Sequence, residues 1–146
     1  MGKSGYYVDS CIYINLWQNE TGNPMFPFWK SAQAFLKRCE EEGNLIYYSG
    51  YVLKEIEHVL GNEIFIEKRE IFLKNQNMIR LFATDEELAL GRKLEAQLEY
   101  SISFFDIMHM ILAKRADAIL VTRDRKLILA AIHYGAETKK PEQCLD

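Results

Sequence analysis

The apolar positions of this 146-residue chain fall into short runs that switch between two periods. Tyr6, Tyr7 and Val8 form a β-rich run ending at Asp9-Ser10, and Ile12, Ile14, Leu16 and Trp17 then predict a short helix. Residues 18–27 carry the breakers Gly22, Asn23, Pro24 and Pro27 and predict a loop. Phe28, Ala32, Phe35, Leu36 and Cys39 recur at helical spacing, with Gly43 as the stop. A second strand over 45–48 leads into Ser49. We read Ser49 as the cap of a helix that shows Val52, Leu53, Ile56, Val59 and Leu60 on one face and ends near Gly61. A further helix over 63–76 and a strand over 78–82 follow. Thr84-x-x-Glu87 then forms a capping box before a helix bearing Leu88, Leu94 and Leu98. The tail predicts a helix around 127–133, a last strand at 136–138 and poor order from Pro141 onward.

Residues 103–127 are the most informative stretch. Ser103 stands as a helix cap three residues before Asp106. The helix that follows is apolar almost all round (Phe104, Phe105, Ile107, Met108, Met110, Ile111, Leu112), which predicts burial. Asp106, His109 and Ala113 share the one stripe that is not bulky and apolar. A buried strand over 118–122 then runs into Arg123-Asp124-Arg125. Strands alternating with helices throughout predict a three-layer α/β/α fold around a parallel sheet of about five strands. The length fits one domain spanning residues 1–146.

Composition narrows the class. The chain is 49% hydrophobic and 27% charged, ordinary for a globular protein. No window approaches a transmembrane length, and no basic segment with an apolar run opens the chain. The expectation is therefore a cytoplasmic protein with no membrane partner. Cys11, Cys39 and Cys144 are odd in number and far apart, with no CxxC, so neither a disulfide framework nor a zinc site is expected. A net charge of −3 argues against indiscriminate nucleic-acid binding by bulk charge, while leaving room for a local basic patch. GxGxxG and GxxxxGK[ST] are both absent, which speaks against a nucleotide-binding Rossmann or P-loop enzyme.

Four acids then change the picture. Asp9 ends the first strand, Glu55 lies in the second turn after the second, Asp106 opens the buried helix, and Asp124 follows the fourth strand. In an open parallel sheet, ligands bind beyond the carboxyl ends of the strands. Asp9, Glu55 and Asp124 fall on that edge. Asp106 joins them only if its helix starts there. Each acid alone has a plain reading: Asp9 and Asp124 as helix caps, Asp106 as part of a capping box. Glu55 and Glu57 border the same apolar face from opposite sides, so periodicity does not choose between them. Together, four carboxylates would repel one another and raise one another's pKa. A divalent cation reverses that, and oxygen-only ligands suit Mg²⁺ or Mn²⁺.

These stretches resemble a known family. Tyr7-Val8-Asp9-Ser10-Cys11-Ile12-Tyr13-Ile14, Ser49-x-x-Val52-x-x-Glu55, Phe105-Asp106-x-x-His109 and Leu120-Val121-Thr122-Arg123-Asp124 resemble, in order, the four motifs of the PIN (PilT N-terminal) domain nucleases. Ser10 stands where that family more often has Thr. The size resembles the single-domain VapC-type toxins, ribonucleases of toxin–antitoxin pairs. The resemblance implies a metal-dependent endoribonuclease in which Asp9, Asp106, Asp124 and Glu55 hold one or two Mg²⁺ or Mn²⁺ ions. It implies that Ser10 and Thr122 orient those carboxylates, and it brings an RNA substrate, an antitoxin partner and a homodimer as expectations. Arg123, Arg125 and Lys126 stand either as RNA-backbone contacts or as a solvated helix start. His109 is read as a hydrogen-bonded structural histidine ahead of a ligand or catalytic group. His58 and His133 have no metal-like spacing. Tyr47 and Tyr48 are read as rim stacking groups or core, and the apolar surface over 64–72 as a docking face or internal packing. The competing readings are a housekeeping RNA-processing nuclease of the same family and an inactive RNA- or protein-binding domain.

Overall fold

A computed structural model of the chain describes residues 5–19 and 27–145. In chain order it comprises β1 (Tyr6–Val8), α1 (Ser10–Trp17), α2 (Phe28–Glu42), β2 (Ile46–Ser49), α3 (Gly50–Leu60), α4 (Asn62–Lys74) and β3 (Met78–Leu81). Then come α5 (Asp85–Gln97), α6 (Phe104–Arg115), β4 (Ile119–Val121), α7 (Arg125–Tyr134) and β5 (Thr138–Lys139), and finally a 3₁₀ turn at Pro141–Cys144. The five strands make one all-parallel sheet in the order β3-β2-β1-β4-β5. The three-layer expectation holds.

The order explains the layers. Right-handed crossovers from β1 outward to β3 place α1–α4 on one face, and the return through β4 to β5 places α5–α7 on the other. The packing agrees: α1 rests on α2 and α3, and α3 on α4, while α6 rests on α5 and α7. The central strands β1 and β4 are covered on both sides, so they read as unbroken apolar runs. Tyr7, Val8, Leu120 and Val121 are fully buried.

Local chemistry sets the ends of the elements. Ser103 Oγ accepts from Asp106 N at 3.1 Å and starts α6, whose residues from Ile107 to Ala113 are all buried. The Thr84–Glu87 capping box forms with both of its bonds. Gly43, at φ +70°, stops α2 in the left-handed conformation that glycine adopts most easily. Gly91 sits mid-way along α5, facing α6. A Cβ there would lie 2.6 Å from Met108 Sδ and 2.9 Å from Phe104 Cε1, so the missing side chain is what lets the two helices approach.

Three expectations need correction. Ser49 holds the cap position of α3, but its side chain makes no cap bond; its Oγ lies 2.7 Å from Tyr7 Oη instead. The tail from Pro141 is ordered through Leu145, because Glu142 takes both ends of the Arg123 guanidinium (2.8 and 3.1 Å) and the turn packs on α2. The last strand lies at Thr138–Lys139, two residues later than its apolar start suggested, since Ala136 is buried ahead of the pairing. Of the expected loop over 18–27, residues 20–26 lie outside the described residues. Tyr48 takes its core reading, packed with Tyr13 and Trp17 around Phe72.

Candidate metal centre

The acids gather at the carboxyl edge of the sheet, between β1 and β4, where the direction of the crossovers reverses. Asp9 is the first residue past β1. Its amide bonds to Val121 O at 2.9 Å, which fixes it beside the end of β4. It stands at the cap position of α1, yet its side chain caps nothing. Asp9 is 3% exposed, and its carboxylate turns toward the crevice. Its Oδ2 accepts from Thr122 Oγ1 (2.8 Å) and Cys11 Sγ (3.3 Å), and its Oδ1 accepts from Ser10 Oγ at 3.4 Å.

Glu55 arrives from the second turn of α3. Its Oε1 accepts from Ser10 Oγ at 3.1 Å and lies 2.6 Å from His109 Nε2. Glu57 is exposed on the other flank, so the choice that periodicity left open falls to Glu55. Asp106 comes from α6. The link from α6 into β4 is only three residues long, so α6 runs against the strands and starts at their carboxyl edge. That direction brings Asp106 to the other acids and puts His109 one turn deeper, fully buried. One ligand atom from each of Asp9, Glu55, Asp106 and His109 lies within 4.8 Å of all the others.

The electrostatics follow from this crowding. Asp106 is pushed up to about 7, first by burial and then by the charge of Asp9, with Glu55 and Asp124 adding to it and His109 pulling the other way. Burial works against a charged His109, but the Glu55 hydrogen bond and the charges of Asp9, Glu55 and Asp106 outweigh it and raise its pKa. The Tyr7 phenol is held well above its usual value, chiefly by burial. The pocket is thus short of positive charge. The donor set fits a hard divalent cation: ligands at about 2.1 Å from an octahedral ion stand roughly 3 to 4 Å apart, and these atoms need only a small inward movement.

The remaining predicted residues are placed differently. Asp124 caps α7: its Oδ1 accepts from Lys126 N (2.9 Å) and Leu127 N (3.2 Å). It lies outside the four-residue cluster, though its charge reaches Asp106. Both cap bonds use the same oxygen, which leaves Oδ2 out of the cap. Thr122 Oγ1 joins the two aspartates, donating to Asp9 and accepting from Asp124 N at 3.0 Å. Arg123 is pinned to Glu142 and lies over the Phe28 ring, whereas Arg125 and Lys126 are exposed. Sequence reasoning missed Tyr7 and Ser49, which lie in line behind His109, and Cys11, which donates to Asp9. Strand periodicity marked Tyr7 only as core, Ser49 was read as a helix cap, and Cys11 was weighed only for a disulfide or zinc site. Beside Glu55 a groove of about 520 Å³ opens between α1, α3 and α6, lined by Ile14, Lys54, His58, Val59 and Phe105.

No curated protein matches the chain. Several solved structures resemble it, two of them as follows. One is the crystal structure of FitAcB from Neisseria gonorrhoeae, with a TM-score of 0.58 and 16% identity over 93% of this chain and 97% of that one. The other is FitAB bound to an IR36 DNA fragment, with a TM-score of 0.57 and 14% identity over 94% and 95%. At such identities the likeness is one of fold. The family model described as PIN domain matches residues 6–132, a span that holds β1 through most of α7 and all four acids. The chain belongs to the PIN domain family.

Proposed function

We propose that the chain is a divalent-metal-dependent endoribonuclease, a single nuclease domain acting as the toxin of a toxin–antitoxin pair in the cytoplasm. One observation carries the reading: in a PIN-family chain, ligand atoms of Asp9, Glu55, Asp106 and His109 come within 4.8 Å of one another at the edge where parallel sheets bind ligands. Asp9, Glu55 and Asp106 would hold Mg²⁺ or Mn²⁺, with Asp124 joining through its Oδ2 or through water. When bound, such an ion acidifies a water and offsets charge on the attacked phosphate. The protein's part is to hold the carboxylates still. Thr122 fixes one oxygen of Asp9, and Ser10 spans Asp9 and Glu55.

RNA contacts fall to Arg125 and Lys126, exposed at the start of α7; Arg123, tied to Glu142, shapes the loop between them and β4. The groove beside Glu55, with Lys54 and His58 on its wall, gives a strand a path away from the centre. Ile64, Ile66, Ile71 and Leu73 are exposed on α4 while Phe65 and Phe72 pack inward. Ile64 with Ile71 and Ile66 with Leu73 lie on opposite flanks of the helix, and either flank suits a second copy or an antitoxin helix. FitAB, which shares the fold, is a complex that binds a DNA fragment. For this chain, with its net charge of −3, we assign any such DNA contact to the partner. Among the described residues no helix is long and apolar enough to cross a membrane.

The test is cleavage of a structured RNA by purified protein with Mn²⁺ or Mg²⁺ against EDTA, with Asp106→Asn alongside. Metal-dependent cutting that disappears in the variant is the expected result. Equal cutting in EDTA, or full activity in Asp106→Asn, would remove the metal centre from the mechanism.

A further inference from the structure

The four-residue cluster contains one nitrogen ligand candidate, His109, and its hydrogen bonds argue against that use. Both ring nitrogens are already engaged. Nδ1 lies 2.7 Å from Tyr7 Oη and Nε2 lies 2.6 Å from Glu55 Oε1, while Asp9 Oδ1 stands off at 3.6 Å. Behind Tyr7, the chain of contacts continues to Ser49 Oγ at 2.7 Å. Tyr7, Ser49 and His109 are all buried, so no solvent competes for the two inner bonds, while the bond to Glu55 at the outer end is part-buried.

The direction of the bonds can be worked out. A carboxylate only accepts, so Nε2 carries the proton shared with Glu55. In the neutral ring Nδ1 is then the acceptor, Tyr7 donates to it, and Ser49 donates to Tyr7. In the charged ring the two outer bonds reverse and Nε2 still donates to Glu55. In both forms the nitrogen facing the acids bears a hydrogen and has no lone pair to give a metal. The fold also gives something up for this arrangement: Ser49, at the cap position of α3, leaves the cap unmade.

We propose that Ser49, Tyr7 and His109 form a buried donor line that aims the Glu55 carboxylate at the metal centre, with His109 a positioning residue and not a ligand. The line crosses from β2 through β1 to α6 and ends on α3, so Glu55 is oriented from the sheet as well as by its own helix. Removing such a partner typically weakens metal binding 10- to 100-fold, roughly, without removing the site. The proposal rests on the metal-centre reading above, and its test separates the two.

The experiment uses the full chain and Mn²⁺ as the probe. Mn²⁺ affinity is measured by electron paramagnetic resonance titration of the wild type, Tyr7→Phe, His109→Gln and His109→Ala, with folding checked by melting in EDTA. Spin-echo spectra of the bound ion report whether nitrogen is directly coordinated. Tyr7→Phe keeps the ring in the core and removes only the hydroxyl. The expected result is Mn²⁺ bound without a directly coordinated nitrogen. Affinity should fall roughly 10-fold or more in Tyr7→Phe and His109→Ala, with partial recovery in His109→Gln, whose amide can still donate to Glu55. A direct nitrogen ligand in the wild type, or unchanged affinity in folded Tyr7→Phe, would overturn the positioning role alone. No Mn²⁺ binding by the wild type would overturn the metal centre and this proposal with it.

Discussion

Asp9 and Asp124 occupy the same kind of place and do different things. Each follows a central strand, each stands at the cap position of the next helix, and each has an extended backbone there (φ −64°, ψ 150° and φ −71°, ψ 110°). Asp124 caps α7 with its side chain, while the Asp9 side chain points into the acid cluster. The difference starts one bond away. At the start of α1 the third amide, Ile12 N, is taken by the Asp9 main-chain carbonyl at 3.1 Å. At the start of α7 the equivalent amide, Leu127 N, goes to Asp124 Oδ1, and the Asp124 carbonyl is used one residue later by Ile128 N. A tighter first turn therefore frees a carboxylate for chemistry. A strand–Asp–helix signature does not say which of the two has happened.

The largest effect should come from neutralising the freed carboxylate. Asp9→Asn is expected to lower RNA cleavage by roughly 100-fold or more, because it removes a charge that no cap bond compensates. Its melting temperature in EDTA should hold or rise, since a buried negative charge beside Asp106 has gone. Cleavage at the wild-type rate would take Asp9 out of the site.

A second effect follows from the same crowding and is read as pH dependence. Folded Asp106 keeps its proton to about pH 7, whereas in the unfolded chain it loses it near 3.8. Between those values the folded state binds more protons, so the stability of the metal-free protein falls as pH rises. His109 adds to the trend: its raised pKa gives stability that is complete below 6.5 and lost as pH passes its folded value. Melting in EDTA at about pH 5 and about pH 8 checks the sign, and saturating Mn²⁺ should flatten the slope by stabilising the ionised acids. Metal-free protein that melts higher at the upper pH would contradict the crowding.

Thr122→Val tests the link between the two aspartates, since one hydroxyl serves both. Its loss leaves Asp9 Oδ2 short of a donor and Asp124 N short of an acceptor at a fully buried position. The expected cost is about 1–3 kcal/mol in chemical denaturation, together with a fall in Mn²⁺ affinity of about 10-fold. A change in stability with unaltered affinity would make Thr122 a fold residue only.

Much of this architecture was legible from local pattern. The Ser103 and Thr84 caps, the buried helix α6 and the apolar runs of β1 and β4 depend on neighbours within a few residues. Alternating strands and helices were enough to bring Asp9, Glu55 and Asp124 to one sheet edge, whereas Asp106 depended on the direction of α6, and the side chain that stays outside the cluster is that of Asp124. What stayed hidden depends on partners far along the chain. Glu55 differs from Glu57 only because His109 lies 54 residues on, and Tyr7 looked like plain core because its partner is 102 residues away. The tail looked loose because the Arg123–Glu142 pair is tertiary and carries no periodic signal. Ser49 was read as a cap on residue type, which fixes who can cap and not whether the side chain turns that way.

The smallest effect divides the two roles of Asp124 most finely. Asparagine is as good a helix cap as aspartate, so Asp124→Asn should change stability by only a few tenths of a kcal/mol, while Asp124→Ala, which loses both amide bonds, should cost about 1 kcal/mol. If Oδ2 serves the metal centre, the two variants lose cleavage to a similar degree despite their different stabilities. If the residue is a cap alone, Asp124→Asn cleaves like the wild type and only Asp124→Ala is affected, in proportion to its stability. Denaturation midpoints and cleavage rates measured on the same pair of variants decide between these outcomes. They also show whether the likeness between the β1–α1 and β4–α7 junctions extends from geometry to chemistry.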